Sequence, residues 1–324
     1  MEPFKVPPIG LGTWAWGDSI FWKYDPANDG QLQEVFDYAV DQGITFWDTA
    51  ELYGLGRSEQ LLGTFAAGNP NIQIATKFAA LPWKTSAADV VEAAKRSTDR
   101  LGRPIDLYQI HFPGAWSNEA YWDGLAQCVE SGLVRSAGVS NYGSEALRAC
   151  HATLAARGVP LVSNQVQLSL VYPYALKNGL KETADSLGIT TLAYSPLALG
   201  ILTGKYTATN LPEGPRRAIA EKAVADPAFP ALIATMTKVG AAHGGVTPAE
   251  VAIAWCAAKG ASVIPGARTI SQARSDLAAA KLRLSATEVA MLDQASDALA
   301  PLLSPEASPF PKQDVFTKMQ MFDS

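Results

Sequence analysis

Ile44-Thr45-Phe46-Trp47-Asp48 is a short apolar run that stops on a carboxylate. Its β-branched and aromatic side chains suit a buried strand. It is one of a series. Similar runs at 9–14, 44–48, 72–77, 105–111, 135–140, 161–166, 190–195 and 262–265 alternate with longer helical patterns. Such alternation argues for parallel strands joined by helical crossovers, and eight strands are what a closed parallel barrel requires. The expected fold class is α/β, a (β/α)8 TIM barrel, with residues 1–324 forming a single domain.

The intervening helices are legible from their period. Residues 31–42 place Leu32, Val35, Phe36 and Ala39 on one face, and Gly43 is the stop. Residues 87–101 repeat the pattern with Val90, Val91, Ala94 and Leu101. Further helices are expected at 118–131, 144–157, 177–187, 229–243, 248–259 and 271–280, with an extra C-terminal helix at 285–298. Residues 199–228 break the rhythm with three glycines, with Pro212, Pro215 and Pro227, and with a charged cluster. A long loop in a compact domain is usually functional. Lying after the seventh strand, it reads as a flap over a cofactor; a disordered insertion is the alternative. The tail 301–324 contains Phe316, Met319, Met321 and Phe322, and either drapes over the same face or is loose.

Composition removes several functions. A hydrophobic content of 48% is ample for one large core. The formal net charge is −5 with no run of five like charges, so neither nucleic acid nor a polybasic membrane contact is an expected partner. Three cysteines, Cys128, Cys150 and Cys256, cannot all pair and read as reduced residues in helices. No stretch holds the 18 apolar residues of a membrane span. Met1-Glu2-Pro3-Phe4-Lys5 has neither a signal core nor a transit composition. The expected compartment is the cytoplasm, or a plastid where a leader has been removed. Oligomeric state is left open.

Four chemically active residues fall at or just beyond strand exits: Asp48, Tyr53, Lys77 and His111. Barrel active sites lie at the C-terminal ends of the strands. A tyrosine is a poor acid, with a free pKa of about 10. A neighbouring ammonium favours its phenolate and eases proton release, and a carboxylate can hold that ammonium in place. The grouping suits protonation of a carbonyl oxygen while a hydride arrives from elsewhere. The alternative is an Asp48–Lys77 ion pair that merely plugs the barrel. No metal site is expected, because the other histidines, His151 and His243, fall in helical patterns. Gly10-Leu11-Gly12 lacks the third glycine of a Rossmann fingerprint.

Trp47-Asp48-Thr49-Ala50-Glu51-Leu52-Tyr53-Gly54, continued by Ser58-Glu59-Gln60-Leu61-Leu62-Gly63, resembles the signature of the aldo-keto reductases. Agreement continues through Ala75-Thr76-Lys77, Gln109-Ile110-His111, Gly138-Val139-Ser140-Asn141, Asn164-Gln165-Val166, Tyr194-Ser195-Pro196-Leu197 and Ile264-Pro265-Gly266-Ala267-Arg268. Gly266-Ala267-Arg268 places the resemblance with the bacterial, cyanobacterial and plant branch, near the pyridoxal reductases. The resemblance implies an NADP-dependent oxidoreductase reducing aldehydes, and some ketones, with pyridoxal one candidate among small carbonyl compounds. Tyr53 would be the proton donor, Lys77 would lower its pKa, Asp48 would orient Lys77, and His111 would polarise the carbonyl. Potassium-channel β-subunits share this barrel and cofactor site, so a cofactor-sensing binding module is the second reading; aldehyde turnover separates the two.

By the same resemblance NADPH lies across the barrel mouth. Ser140, Asn141 and Gln165 would hold its carboxamide, and Tyr194 would stack on the nicotinamide. Ser195, Leu197, Gly200 and Lys205 would follow the pyrophosphate. Gly266 and Arg268 stand before a helix whose N-terminus favours phosphate, implying the 2′-phosphate of NADPH. Gln272 matches the next position. Ser275-Asp276 departs from the family's Glu-Asn, which puts the adenine contact of Asp276 in question. Trp14, Trp16, Trp22, Trp83 and Trp116 follow strands one, three and four, and loop aromatics there favour an apolar or aromatic substrate.

Overall fold

The computed structural model describes residues 4–114 and 118–299. Its strands are β1 Leu11–Gly12, β2 Phe46–Asp48, β3 Gln73–Phe78, β4 Ile105–Ile110, β5 Val134–Ser140, β6 Leu161–Gln167, β7 Thr190–Tyr194 and β8 Ser262–Ile264. They pair in sequence order as one eight-stranded sheet, every pair parallel. Backbone bonds from Gly10 to Val263 (2.9 Å), Val263 to Pro8 (3.0 Å) and Gly12 to Pro265 (2.8 Å) join the last strand to the first. The expected (β/α)8 barrel is the fold. β1 is shorter than the 9–14 run because its pairing is divided: Ile9 bridges Val263 of β8, and Leu11–Gly12 pair with β2.

Helices fill the connections: α1 Asp29–Asp41, α2 Arg57–Phe65, α3 Ala87–Leu101, α4 Asn118–Glu130, α5 Ser144–Ala155, α6 Tyr174–Lys177 and α7 Leu180–Ser186. After β7 come α8 Arg216–Ala225, α9 Phe229–Ala242 and α10 Pro248–Ala258, and after β8 come α11 Ile270–Lys281 and α12 Ala286–Asp297. Capping boxes set three starts, Ser86 with Asp89, Thr247 with Glu250 and Ser285 with Glu288. The expected 177–187 helix is two pieces, α6 and α7, divided at Asn178-Gly179.

Sequence periodicity does not reveal α2 or α8. The first is only nine residues long with Gly63 inside it, and the second buries only Ala220 and Ala223. The 199–228 stretch is therefore not wholly loop. It holds a 3-10 turn at Ala198–Thr203 and then α8, and an ion pair from Glu213 to Lys23 (2.7 Å) links it to the loop after β1. The C-terminal tail 301–324 lies outside the described residues. None of the described helices is long and apolar enough to cross a membrane, and all three cysteines are buried and unpaired.

Strand alternation builds the barrel interior in layers. Phe46, Ala75, Leu107, Leu192 and Ile264 form a closed apolar cluster with Phe4 and Val6. Side chains two residues along a strand share its face. Asp48, Lys77 and Gln109 therefore stand one layer above Phe46, Ala75 and Leu107, and each is buried. Gly138 on β5 leaves the space they need: a Cβ there would come within 2.5 Å of Ser163 Oγ and 2.9 Å of Gln109.

Candidate active site

The polar layer is a hydrogen-bonded network. Lys77 Nζ donates to Asp48 Oδ1 at 2.5 Å and to the Thr49 carbonyl at 2.8 Å, and reaches the Tyr53 hydroxyl at 3.3 Å. The other oxygen of Asp48 accepts from Gln165 at 2.8 Å and Gln109 at 3.2 Å. A buried ion pair is tolerated only when its remaining donors and acceptors are satisfied, and here they are. Gln109 is a member that the sequence reading did not single out; its place two residues before His111 on an alternating strand was the available signal.

Tyr53 stands in a one-turn 3-10 segment, Tyr53–Gly56, just beyond β2. Gly54 makes the turn possible: its φ is +56°, and a Cβ would fall 2.3 Å from the Gly17 carbonyl oxygen. His111 packs edge-on to Tyr53, ring centres 5.7 Å apart, and its Nδ1 is buried without a partner.

Burial raises the Tyr53 pKa above the ordinary tyrosine value; Lys77 pulls it down and Asp48 adds to the rise, leaving the net upward. The ammonium alone would make Tyr53 a stronger acid, but desolvation is the larger effect. Tyr53 is thus a neutral phenol at neutral pH, with a proton to give. Burial also opposes the charge on Lys77, but Asp48 and then Tyr53 outweigh it and hold the ammonium above the usual lysine range. His111 is pushed well below the usual histidine range by burial and then by Lys77, so its imidazole is neutral.

Above this layer opens a groove of about 400 Å³. Asp48, Tyr53 and His111 face it, with Lys77 beneath them. All twelve residues expected to hold a cofactor line it: Ser140, Asn141, Gln165, Tyr194, Ser195, Leu197, Gly200, Lys205, Gly266, Arg268, Gln272 and Asp276. Asn141, at φ +61°, is pinned by a bond from its amide to the His111 carbonyl (3.0 Å), and it accepts from the Tyr194 hydroxyl at 3.0 Å. The Arg268 backbone N–H donates to Gln272 Oε1 at 2.8 Å, while its guanidinium packs over Trp22, 5.5 Å from the ring centre. No ion pair joins Arg268 to Asp276 among the described residues. Asp276 is buried, one of its carboxyl oxygens has no partner, and burial followed by Glu250 pushes its pKa well above the usual carboxylate range. Arg216, from the start of α8, also lines the groove; the charged cluster in 199–228 was its only sequence signal.

The five tryptophans divide. Trp14 and Trp22 line the groove, and Trp14 lies 6.2 Å from the Tyr53 ring. Trp16 does not: it is turned into the core against Trp47, and its indole N–H donates to the Ala267 carbonyl at 2.9 Å. Trp83 is 74% exposed and stands outside the groove. Trp116 lies outside the described residues.

The sequence matches the Aldo/keto reductase family over residues 8–297. This chain belongs to that family. It is 39% identical to the chloroplastic pyridoxal reductase of Arabidopsis thaliana over 91% of this chain and 85% of that one. It is 36% identical to an uncharacterised oxidoreductase of Mycobacterium tuberculosis over 92% of both chains. In structure it is similar to an aldo-keto reductase from Klebsiella pneumoniae solved with NADPH: TM-score 0.70, 25% identity, 89% of this chain and 90% of the other. Within an aldo-keto reductase barrel the buried Asp48–Lys77 pair, the phenol of Tyr53 and the neutral imidazole of His111 converge at one end of a groove. The cationic side chains Lys205, Arg216 and Arg268 also line that groove.

Proposed function

We propose that this aldo-keto reductase reduces aldehydes, and ketones of similar shape, to alcohols with NADPH, Tyr53 supplying the proton. The observation that carries the reading is the Tyr53 hydroxyl, 3.3 Å from the Lys77 ammonium and facing the groove whose wall holds the twelve cofactor candidates. The groove suits the cofactor chemically. Ser140, Asn141 and Gln165 offer amide and hydroxyl partners for a carboxamide, Tyr194 offers a ring face, and Lys205 and Arg268 offer charge for phosphates. When bound, the reduced nicotinamide supplies the hydride that adds to the carbonyl carbon.

The protein's own part is proton transfer and orientation. Neutral His111 donates a hydrogen bond to the carbonyl oxygen and polarises it. Tyr53 gives its proton to that oxygen as the negative charge develops, and Lys77 stabilises the phenolate left behind. Asp48 keeps Lys77 charged and in place. Trp14, 6.2 Å from the Tyr53 ring, gives the substrate an apolar wall, which favours aromatic aldehydes. The Arabidopsis relative's name makes pyridoxal the first substrate to try.

Loss of NADPH absorbance on mixing the protein with pyridoxal, benzaldehydes, methylglyoxal and open-chain sugars tests the reading. Turnover of an aromatic aldehyde is the expected result. No turnover of any carbonyl, with NADPH bound, would leave a cofactor-binding protein that is not a reductase.

A further inference from the structure

Gln109 does not reach the groove, yet it holds a residue that does. On β4 it stands in register with Gly138 of β5. A Cβ at Gly138 would come within 2.9 Å of it, so the glycine is what lets Gln109 extend past β5 to Gln165 on β6. There Gln165 Nε2 donates to Gln109 Oε1 at 3.3 Å. Gln165 lines the groove, whereas Gln109 is fully buried beneath it.

Asp48 sets the direction of both amides. A carboxylate only accepts hydrogen bonds, so each glutamine turns its NH2 toward it. Gln165 Nε2 donates to Asp48 Oδ2 at 2.8 Å and Gln109 Nε2 donates to the same oxygen at 3.2 Å. The Gln109 oxygen is then placed to take the second N–H of Gln165. One hydrogen bond would let the Gln165 amide swing about it; two fix its plane. Both N–H groups of Gln165 are thus committed, and its Oε1 is an acceptor to which nothing donates among the described residues. An apolar side chain of the same length would fill the Gln109 seat without the cost of burying an amide, so packing does not account for a glutamine there.

We propose that Gln109 is a positioning residue: through Gln165 it fixes the acceptor that holds the nicotinamide carboxamide, and with it the angle at which the ring meets the substrate. The inference rests on the NADPH reading above. It adds a residue that touches neither cofactor nor substrate and acts only through the amide it orients. A carboxamide NH2 is the donor that Gln165 Oε1 fits.

Calorimetric titration of the full chain with NADP+ and with its 3-acetylpyridine analogue tests this. The analogue carries a methyl ketone in place of the carboxamide and has no N–H to give to Gln165 Oε1. Wild type should bind NADP+ roughly 2- to 10-fold more tightly than the analogue, the worth of one net hydrogen bond. Gln109→Met fills the seat without an amide and should abolish most of that preference; Gln109→Leu gives the same reading if the methionine variant does not fold. Gln109→Glu should keep the preference, because it retains an oxygen for Gln165 and, next to Asp48, takes up a proton that it can donate as the amide did. If Gln109→Met and Gln109→Leu weaken both ligands equally and leave the preference intact, Gln109 is packing alone and the proposal fails. A wild-type protein that binds NADP+ tightly but no better than the analogue also overturns the proposal and leaves the NADPH reading standing. Failure to bind NADP+ at all would overturn both.

Discussion

The Lys77 ammonium lies 2.5 Å from the Asp48 carboxylate and 3.3 Å from the Tyr53 hydroxyl, so one buried cation serves two partners. The carboxylate favours the charged lysine in a site where burial opposes that charge. The phenol then feels that charge against its own desolvation. An ion pair that only plugged the barrel would make the first contact and have no use for the second, and substitutions at each residue separate the cases.

Tyr53→Phe removes the hydroxyl and keeps the ring. The rate of carbonyl reduction should fall by about 10²–10⁴-fold, the range typical of general acids. NADPH affinity should hold. Single-turnover kinetics beside a calorimetric titration measure both, and wild-type turnover in the variant would remove Tyr53 as proton donor.

Lys77→Met is neutral and of similar volume. Tyr53 acts in its protonated form, so reduction persists below its pKa and declines as pH rises through it. Lys77 pulls that pKa down, against burial. Without Lys77 the alkaline limb of the pH–rate profile should move upward while the plateau rate drops. Gln109 and Gln165 still bond Asp48, so the variant should fold. An unmoved limb with unchanged turnover would favour the plug.

His111 is held below the usual histidine range, so its neutral form should persist as pH falls through about 6.5, the free value. The expected profile of kcat/KM shows no histidine inflection between about pH 6 and 7. His111→Gln should lower kcat/KM without reshaping that acid side. The linkage has the matching sign: stability from neutral His111 is present above the free value and is lost as pH falls toward the depressed one.

Trp16 and Trp14 should fail in different ways. Trp16→Ala opens a core cavity and removes the bond to Ala267, so it should cost about 3–5 kcal/mol of stability, read from denaturant unfolding. Trp14→Ala should leave the unfolding midpoint nearly unchanged and raise KM for aromatic aldehydes. The reverse pattern would mean that the two indoles have been assigned to the wrong roles.

Much of this was written along the chain. Alternating apolar runs and helical stretches specify the barrel, because the periods of strand and helix are local properties of the backbone. The same alternation puts Asp48 and Lys77 inside and at strand ends, without knowledge of any neighbour. The expected cofactor residues share one groove because parallel strands in sequence order bring all their exits to one rim. α2 and α8 were not legible: one is only nine residues long with Gly63 inside it, and the other has too narrow an apolar stripe.

Other features depend on groups that meet only in three dimensions. Trp16 and Trp22 look alike in sequence, yet one fills the core against Trp47 and the other carries two arginines. The sign of the Tyr53 shift depends on how much solvent is excluded by loops far apart in the chain, and a sequence shows the nearby charge but not the desolvation. Arg216 faces Arg268 because the excursion after β7 folds back to the loops after β1 and β8. Local sequence fixes where a side chain leaves the backbone; only closure of the barrel fixes what stands opposite it and how much water remains between them.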